Sequence, residues 1–412
     1  MTKVAVLGGA GAVGSVATRT LAATGVFDEI VVADRDLLRA RALVGSLGFQ
    51  GASAAPLEAD DEESVRRVSV GARVVLNCVG PFYRYAPIIL SAVKAAGIDY
   101  VDVCDDFDAT EKLLAMDEEV KAAGISALIG MGSSPGVANV IARVAADHLF
   151  EQVDAIDIYH AHGGEPEEGR AVVAHRIHSM VIDVPVFLDG KLQSVRLFED
   201  SGHSLEEDVE FEGLGTYRVY AYPHPETLTL PAHIPGVKQV TNKGLVLPPA
   251  YAELIKGAVR LGMTSEEPIE CHGQYVPPVA FAISFLLSRR ARLTREAGIE
   301  GPVGCLKMVI RGTKDGHGLT YVFSLASEGQ GMGEGTGLPA ALGAILAATG
   351  KIRAKGVVPP EVGVAPAEFF ALLAQIMGAT GQPIPVHISR IPEGGTPENV
   401  PVADLLSLVV GA

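Results

Sequence analysis

Cysteine is scarce in this chain. Four occur in 412 residues, Cys78, Cys104, Cys271 and Cys305, far apart and without a Cys-x-x-Cys pair. A dense disulfide framework is therefore excluded, and reduced thiols in a cytoplasm fit best. Positive charge is also short: 33 Lys and Arg stand against 49 Asp and Glu, for a net charge of −16. No net positive field is available to collect phosphate backbones or an anionic membrane, which argues against nucleic acid as a partner. Long apolar runs are missing as well. The two longest uncharged stretches, between Lys121 and Arg143 and between Glu368 and Arg390, are broken by Gly130, Gly132, Pro135 and Gly136 and by Gly378, Gly381, Pro383 and Pro385. No transmembrane helix is expected. The strand-like run from Val4 leaves no room ahead of it for a charged segment, an apolar segment and a cleavage site, so no secretion signal is expected either.

Apolar material itself is plentiful. At 48% hydrophobic residues and a mean hydropathy of +0.29, the chain can fill large cores. Its length exceeds what one core usually holds, so two domains are expected, with three possible.

The first 130 residues alternate strand and helix. Val4-Ala5-Val6-Leu7 is a short apolar run, Gly8-Gly9-Ala10-Gly11-Ala12-Val13-Gly14 follows, and Ser15 to Ala23 has helical spacing. In this strand, turn and helix, Gly9-x-Gly11-x-x-Gly14 supplies a tight turn, close backbone approach to a pyrophosphate at Gly11, Ala12 and Val13, and close helix-on-strand packing. A lone Gly-x-Gly-x-x-Gly is weak. Here a second strand, Glu29 to Ala33, ends in Asp34, twenty residues beyond Gly14, where a ribose-binding carboxylate belongs. The context predicts a Rossmann dinucleotide site rather than an unliganded glycine turn. Asp34 would repel a 2′-phosphate, which favours NAD; Arg35 and Arg39 leave NADP possible, although a solvated helix face is the plainer reading of Arg39.

Further strands are predicted at Arg73 to Val79, Tyr100 to Val103 and Ser126 to Ile129, with helices at Tyr85 to Ala96 and Ala109 to Ala123. Ligands of an open parallel sheet lie at the strands' carboxyl ends, so Asn77-Cys78-Val79-Gly80-Pro81, Cys104 to Asp106 and Met131 to Gly136 are expected to line the cofactor cleft. Beyond residue 150 the rhythm changes to short β-rich runs at Val153 to Ile158, Asp208 to Phe211, Tyr217 to Tyr220, Leu306 to Arg311 and Leu319 to Leu325, with helices at Val279 to Arg292 and Leu338 to Thr349.

Val74 to Phe82, Gly97 to Asp102 and the Gly132-x-x-Pro135-Gly136-x-x-Asn139 segment together resemble the saccharopine dehydrogenase NAD(P)-binding superfamily, of the saccharopine reductase, lysine 6-dehydrogenase and carboxynorspermidine synthase type. His224-Pro225-Glu226 with Thr229-Leu230-Pro231, Gly335 to Ala341 and Gly356 to Glu361 extend the resemblance over most of the chain. Ser134 departs from it, since relatives often carry Asp there. The resemblance implies an α/β fold: a doubly wound parallel Rossmann sheet at residues 1–132, a second α+β domain with a mixed sheet at 133–334 for substrate binding and dimerisation, and residues 335–412 returning to the first domain. It also implies hydride transfer between a nicotinamide cofactor and a C–N bond of an amino-acid or polyamine-like substrate. An enoyl reductase acting on C=C, which shares the Asn77 to Phe82 type of strand end, and a non-catalytic NAD(P)-sensing protein are the other readings.

Amine oxidation needs a base near neutrality. His224, held between Pro223 and Pro225 with Glu226 close by, is the favoured candidate, and Asp105, Asp106 and Tyr83 are alternatives, each with a plain structural reading. Arg170, Arg176 and Lys243 are candidates for a substrate carboxylate but are more often solvated charges. His160-x-His162 and the pair His175 and His178 allow a metal site to be imagined, with Glu165 as a further ligand; histidines of surface or core are the better reading, and no metal is expected. Cys78 and Cys104, predicted at strand ends, have no evident base to activate them. The apolar run Val279 to Leu287 before Ser288-Arg289-Arg290 is too short to span a membrane and suits a core or a dimer interface.

Overall fold

The computed structural model describes residues 1–165, 168–380 and 386–411. Gly381, Pro383 and Pro385, which break the second uncharged stretch, lie outside the described residues. Strands β1 (Lys3–Leu7), β2 (Glu29–Asp34), β3 (Ala52–Pro56), β4 (Val74–Asn77), β5 (Asp99–Asp102) and β6 (Ser126–Leu128) form a parallel sheet ordered 3-2-1-4-5-6, which strand Gly356–Val358 completes beside β6. Side chains of the central strands are buried on both faces: Val4 to Leu7, Val74 to Leu76 and Val101 are fully enclosed. Continuous apolar runs of this kind are what helices on both sides of a parallel sheet require. The order reverses between β1 and β4, and at that switch point the strands' carboxyl ends leave a crevice.

Element boundaries differ from the sequence expectation in two instructive places. The helix predicted from Tyr85 begins at Phe82 instead, directly after Pro81, because the strand predicted to run to Val79 already ends at Asn77. The single helix predicted over Ala109 to Ala123 is two, Phe107–Ala115 and Asp117–Ala122, since the amide of Met116 turns back to Leu113 and the acidic Asp117-Glu118-Glu119 opens a fresh first turn.

The second sheet is mixed and has ten strands. Its centre is Gln152–Gly163, parallel to Gln239–Leu247 on one side and antiparallel to Val303–Lys314 on the other. His317–Glu328, His387–Pro392 and Glu398–Asn399 continue one edge, so part of the C-terminal segment extends this sheet. Ile156, Ile158, Met308, Ile310 and Phe323 join the core of the first sheet. Tyr159, Ala161 and Leu245 belong to a second core with Val173, Ile177, Tyr251 and Leu286, from helices Arg170–Ser179, Pro249–Arg260 and Pro278–Glu296. The apolar run from Val279 thus contributes Ala282, Ile283 and Leu286 to that core, with Phe281 left 55% exposed. A Rossmann sheet and a mixed α+β sheet are what the sequence predicts. Among the described residues no helix is long and apolar enough to cross a membrane.

Candidate active site

The glycine turn is built to receive an anion. Helix α1 (Ala12–Thr24) opens at Gly11 with no capping side chain, leaving its first amides for a ligand. A Cβ on Gly14 would lie 2.1 Å from the carbonyl oxygen of Gly8 and 2.8 Å from the Cα of Gly9, so only glycine lets the helix pack this closely on the turn. A Cβ on Gly11 would meet only the Gly8 carbonyl oxygen, at 3.3 Å, and would otherwise project into open space. Asp34 accepts hydrogen bonds from the amides of Ala10 (3.1 Å) and Asp36 (3.0 Å), which fixes the carboxylate beside the turn; Arg35 is exposed. Asn77 ends β4 with its side-chain oxygen accepting from the amide of Val79 (2.9 Å) and its amide donating to the Tyr100 hydroxyl (2.9 Å), so the turn through Cys78, Val79, Gly80 and Pro81 is braced from below. These residues fit a dinucleotide, which would bring a hydride-accepting nicotinamide to the strand ends.

Beside this cradle the two domains face each other across a titratable cleft. Asp102 caps β5, accepting from the amides of Cys104 (3.0 Å) and Gly130 (2.7 Å); burial raises it to about 6 even so. Asp105 follows, with its side chain 33% exposed. The second domain answers with His175, Tyr222, His224 and His160. The imidazole of His224 packs against Tyr222 (ring centroids 5.2 Å) and stacks with His160 (5.4 Å), and its Nδ1 lies 3.5 Å from Oε2 of buried Glu226. A Cβ on Gly244 would fall 2.3 Å from the His160 ring, so the bare backbone there makes room for this row of rings.

The segments that carry the family resemblance converge behind the cleft. Ser134 donates to Glu226 and accepts from the side-chain amide of Asn242 (3.2 Å). Asn139 accepts from the amide of Gly136 (2.9 Å) and donates to Oε2 of Glu361 (2.8 Å). Gly132, Glu226 and Glu361, far apart in sequence, are thus joined through one turn.

The remaining candidates have definite surroundings. Asp106 is 2% exposed, with its two oxygens taken by the amide of Tyr83 (2.9 Å) and by His175 (2.7 Å). Tyr83 stacks on His178 (3.9 Å), and burial pushes its hydroxyl up to about 12. Burial likewise pushes the Cys78 thiol up to about 12 and the Cys104 thiol well above its ordinary value, which leaves both as packed groups and not nucleophiles at neutral pH. Lys243 pairs with Glu207 (2.6 Å), Arg176 with Glu168, and Arg170 bonds Ser284 (3.3 Å). His178 pairs with Asp108 (3.2 Å) and His175 with Asp106, so these two histidines do not share one site, and the rings of His160 and His162 stand 6.1 Å apart. Sequence reasoning overlooked Tyr222, His160 and Glu361 as members of this region. The only local signal was the Tyr-Pro-His-Pro-Glu run ending at Glu226, because the other contacts arise between elements.

A tight glycine turn, an acidic residue closing β2 and a crevice at the switch point are the features of a Rossmann dinucleotide-binding protein, here joined to a second domain with a mixed sheet. The family model for the saccharopine dehydrogenase NADP binding domain matches residues 4–128. Carboxyaminopropylagmatine dehydrogenase of Synechocystis is 27% identical over 399 residues, covering 91% of this chain and 96% of that protein. Carboxynorspermidine synthase of Vibrio alginolyticus is 24% identical over 390 residues, covering 86% and 90%. Saccharopine dehydrogenase (L-Glu forming) of Saccharomyces cerevisiae shares the fold, with a TM-score of 0.68, 17% identity and coverage of 95% and 100%. The chain is thus similar to saccharopine dehydrogenase-like proteins, over residues 4–128 by the family model and along most of its length by these relatives.

Proposed function

We propose that this protein is an NAD(P)-dependent oxidoreductase that transfers a hydride between the nicotinamide and a C–N bond of an amino-acid or polyamine-like substrate. The observation that carries the reading is that Asp105, just past the end of β5 in the first domain, has His224 of the second domain near enough to favour its charged form against the burial that raises it. An amine must lose its ammonium proton before its lone pair can assist hydride departure, and a cleft rich in acid–base groups suits that step. The named relatives above, aligned along most of both chains, support the same bond type. Residues 133–334 supply the substrate side in this reading, Asp34 favours NAD over NADP, and the protein works as a cytoplasmic homodimer.

The test is a panel of amino acids, polyamines and carboxyalkyl-amines with NAD+ and NADP+, and the corresponding carbonyl-plus-amine pairs with NADH and NADPH. Cofactor-linked turnover with at least one amine is expected. Turnover with enoyl thioesters alone would select the reductase, and binding of NADH without turnover on any substrate would select a sensor.

A further inference from the structure

Helix Arg170–Ser179 of the second domain delivers His175 to the end of β5 in the first. Its Nδ1 lies 2.7 Å from Oδ1 of Asp106. The charge of His175 and the hydrogen bonds that His175 and the Tyr83 amide donate lower Asp106 against the opposing effect of burial, so it is a carboxylate that only accepts. Nδ1 therefore keeps its hydrogen and donates it. Nε2 is then directed at Oδ2 of Asp105 (3.5 Å) and at the Tyr222 hydroxyl (3.3 Å), which is itself bonded by Ser179 (3.1 Å). A bare imidazole lone pair facing a bare carboxylate would be repulsive in a site where His175 is 12% exposed. A proton between them removes that repulsion.

We propose that Asp105 and His175 share one proton across the domain junction, anchored by Asp106, and that His175 is the positioning residue that sets the protonation of Asp105 in the cleft. The charged and titratable groups facing His175 are Asp105 and Asp106 from the loop after β5, Tyr222 and His160 from the second domain and, beyond Asp105, His224. Burial pulls His175 down, but Asp105, Tyr222 and Asp106 together outweigh it and hold the imidazole well above its usual value; burial raises Asp105 despite His175 and His224. With the shared proton on His175, Asp105 is the open acceptor. An N–H bond of the substrate ammonium would break as an O–H bond forms on Asp105; with a nicotinamide bound to accept the hydride and the electrons of its C–H bond, the freed nitrogen pair would form the C=N bond, and the proton on Asp105 would escape to water through its exposed side. The proton-transfer half of this proposal rests on the oxidoreductase reading; the shared proton does not.

The test begins with the protein free of cofactor. Nitrogen-15 spectra of its eleven histidines across pH 5 to 10 should contain one imidazole that keeps both ring protons well above the ordinary value of about 6.5 and that is missing in His175→Asn. In Asp106→Asn the same resonance should titrate nearer to the ordinary value. In turnover, His175→Asn should lower kcat by about 10-fold or more and move a limb of the pH profile, with NADH affinity unchanged. A His175 signal that titrates at or below the ordinary value in the wild type overturns the shared proton, and needs no variant to fold. A raised His175 signal combined with an unmoved pH limb in His175→Asn overturns the positioning role. Absence of turnover on every amine, with the raised signal present, removes the oxidoreductase reading and leaves the shared proton standing.

Discussion

Gly11 and Gly14 sit three residues apart in the same turn and do different work. The Cβ that Gly14 lacks would strike backbone, whereas the one that Gly11 lacks would enter the space a pyrophosphate needs. Gly11→Val should therefore lower NADH affinity by on the order of 100-fold while leaving the melting temperature close to that of the wild type. Titration and thermal denaturation of one preparation check both halves; an unchanged affinity would remove the pyrophosphate from this turn. Gly11 also has an ordinary φ of −71°, so no backbone strain confuses the result. At Asp34 the carboxylate is held by two amides beside the glycine turn, and on the proposed NAD preference it would repel a 2′-phosphate. Asp34→Ser should shift the NAD+/NADP+ ratio of affinities toward NADP+ by about tenfold, since a repulsion of roughly 1.4 kcal/mol is removed. A wild type that already prefers NADP+ strongly would transfer the determinant to Arg35.

The cofactor helix is supported by an element that arrives from the far end of the chain. Helix Met332–Ala348 packs along α1, and a Cβ on Gly337 would lie 2.6 Å from the carbonyl oxygen of Val13 and 2.8 Å from the Cβ of Val16. Gly337 of the Gly335-Thr336-Gly337 signature is thus explained by close helix packing behind the nucleotide turn, whereas a Cβ on Gly335 would meet nothing within 4 Å. Gly337→Ala should force α1 and its partner apart, at a cost of about 1–3 kcal/mol, and should weaken NADH binding because the first turn of α1 moves with it. Thermal melts with and without NADH measure this; a variant as stable as the wild type and with equal affinity would show that the two helices can separate freely. Strand Gly356–Val358 and Glu361 continue the same logic, the strand closing the sheet beside β6 and the carboxylate holding Asn139 in the first turn of helix Val137–Val144.

Across the whole molecule, acidic residues exceed basic ones by 16, and Asp105 is open in the cleft with buried Asp106 and Glu226 behind it. Such a field concentrates cations and repels anions over a distance set by the salt. For a cationic polyamine-like substrate, kcat/KM should fall by about threefold or more as ionic strength rises from 10 to 500 mM, whereas for a substrate with net negative charge it should rise. Steady-state rates over a salt series decide the matter, and a salt-independent kcat/KM for both would exclude long-range steering. The two sheets also share a core, since Ile156, Met308 and Phe323 of the second pack with the residues of the first. The cleft walls are therefore parts of one packed body.

By itself the sequence determined whatever depends on neighbours along the chain. The glycine turn, the strand ending at Asp34, the βα rhythm and the later change to β-rich runs are local patterns of period and turn chemistry, and they sufficed for the fold class and the family resemblance. Residue types with acid–base capacity at strand ends were legible too, which is why Asp105, Asp106 and His224 stand out together from their positions along the chain. Only the tertiary structure decided how those groups are divided. Asp106 is sealed beneath Tyr83 and His175, Asp105 is left open, and His175 crosses from a helix 69 residues further along to meet Asp106. Ser134 meets Glu226 across 92 residues and Asn139 meets Glu361 across 222. No spacing rule reaches that far, because such pairings are set by which faces the two cores bury and by where a packed helix then points its remaining polar side chains.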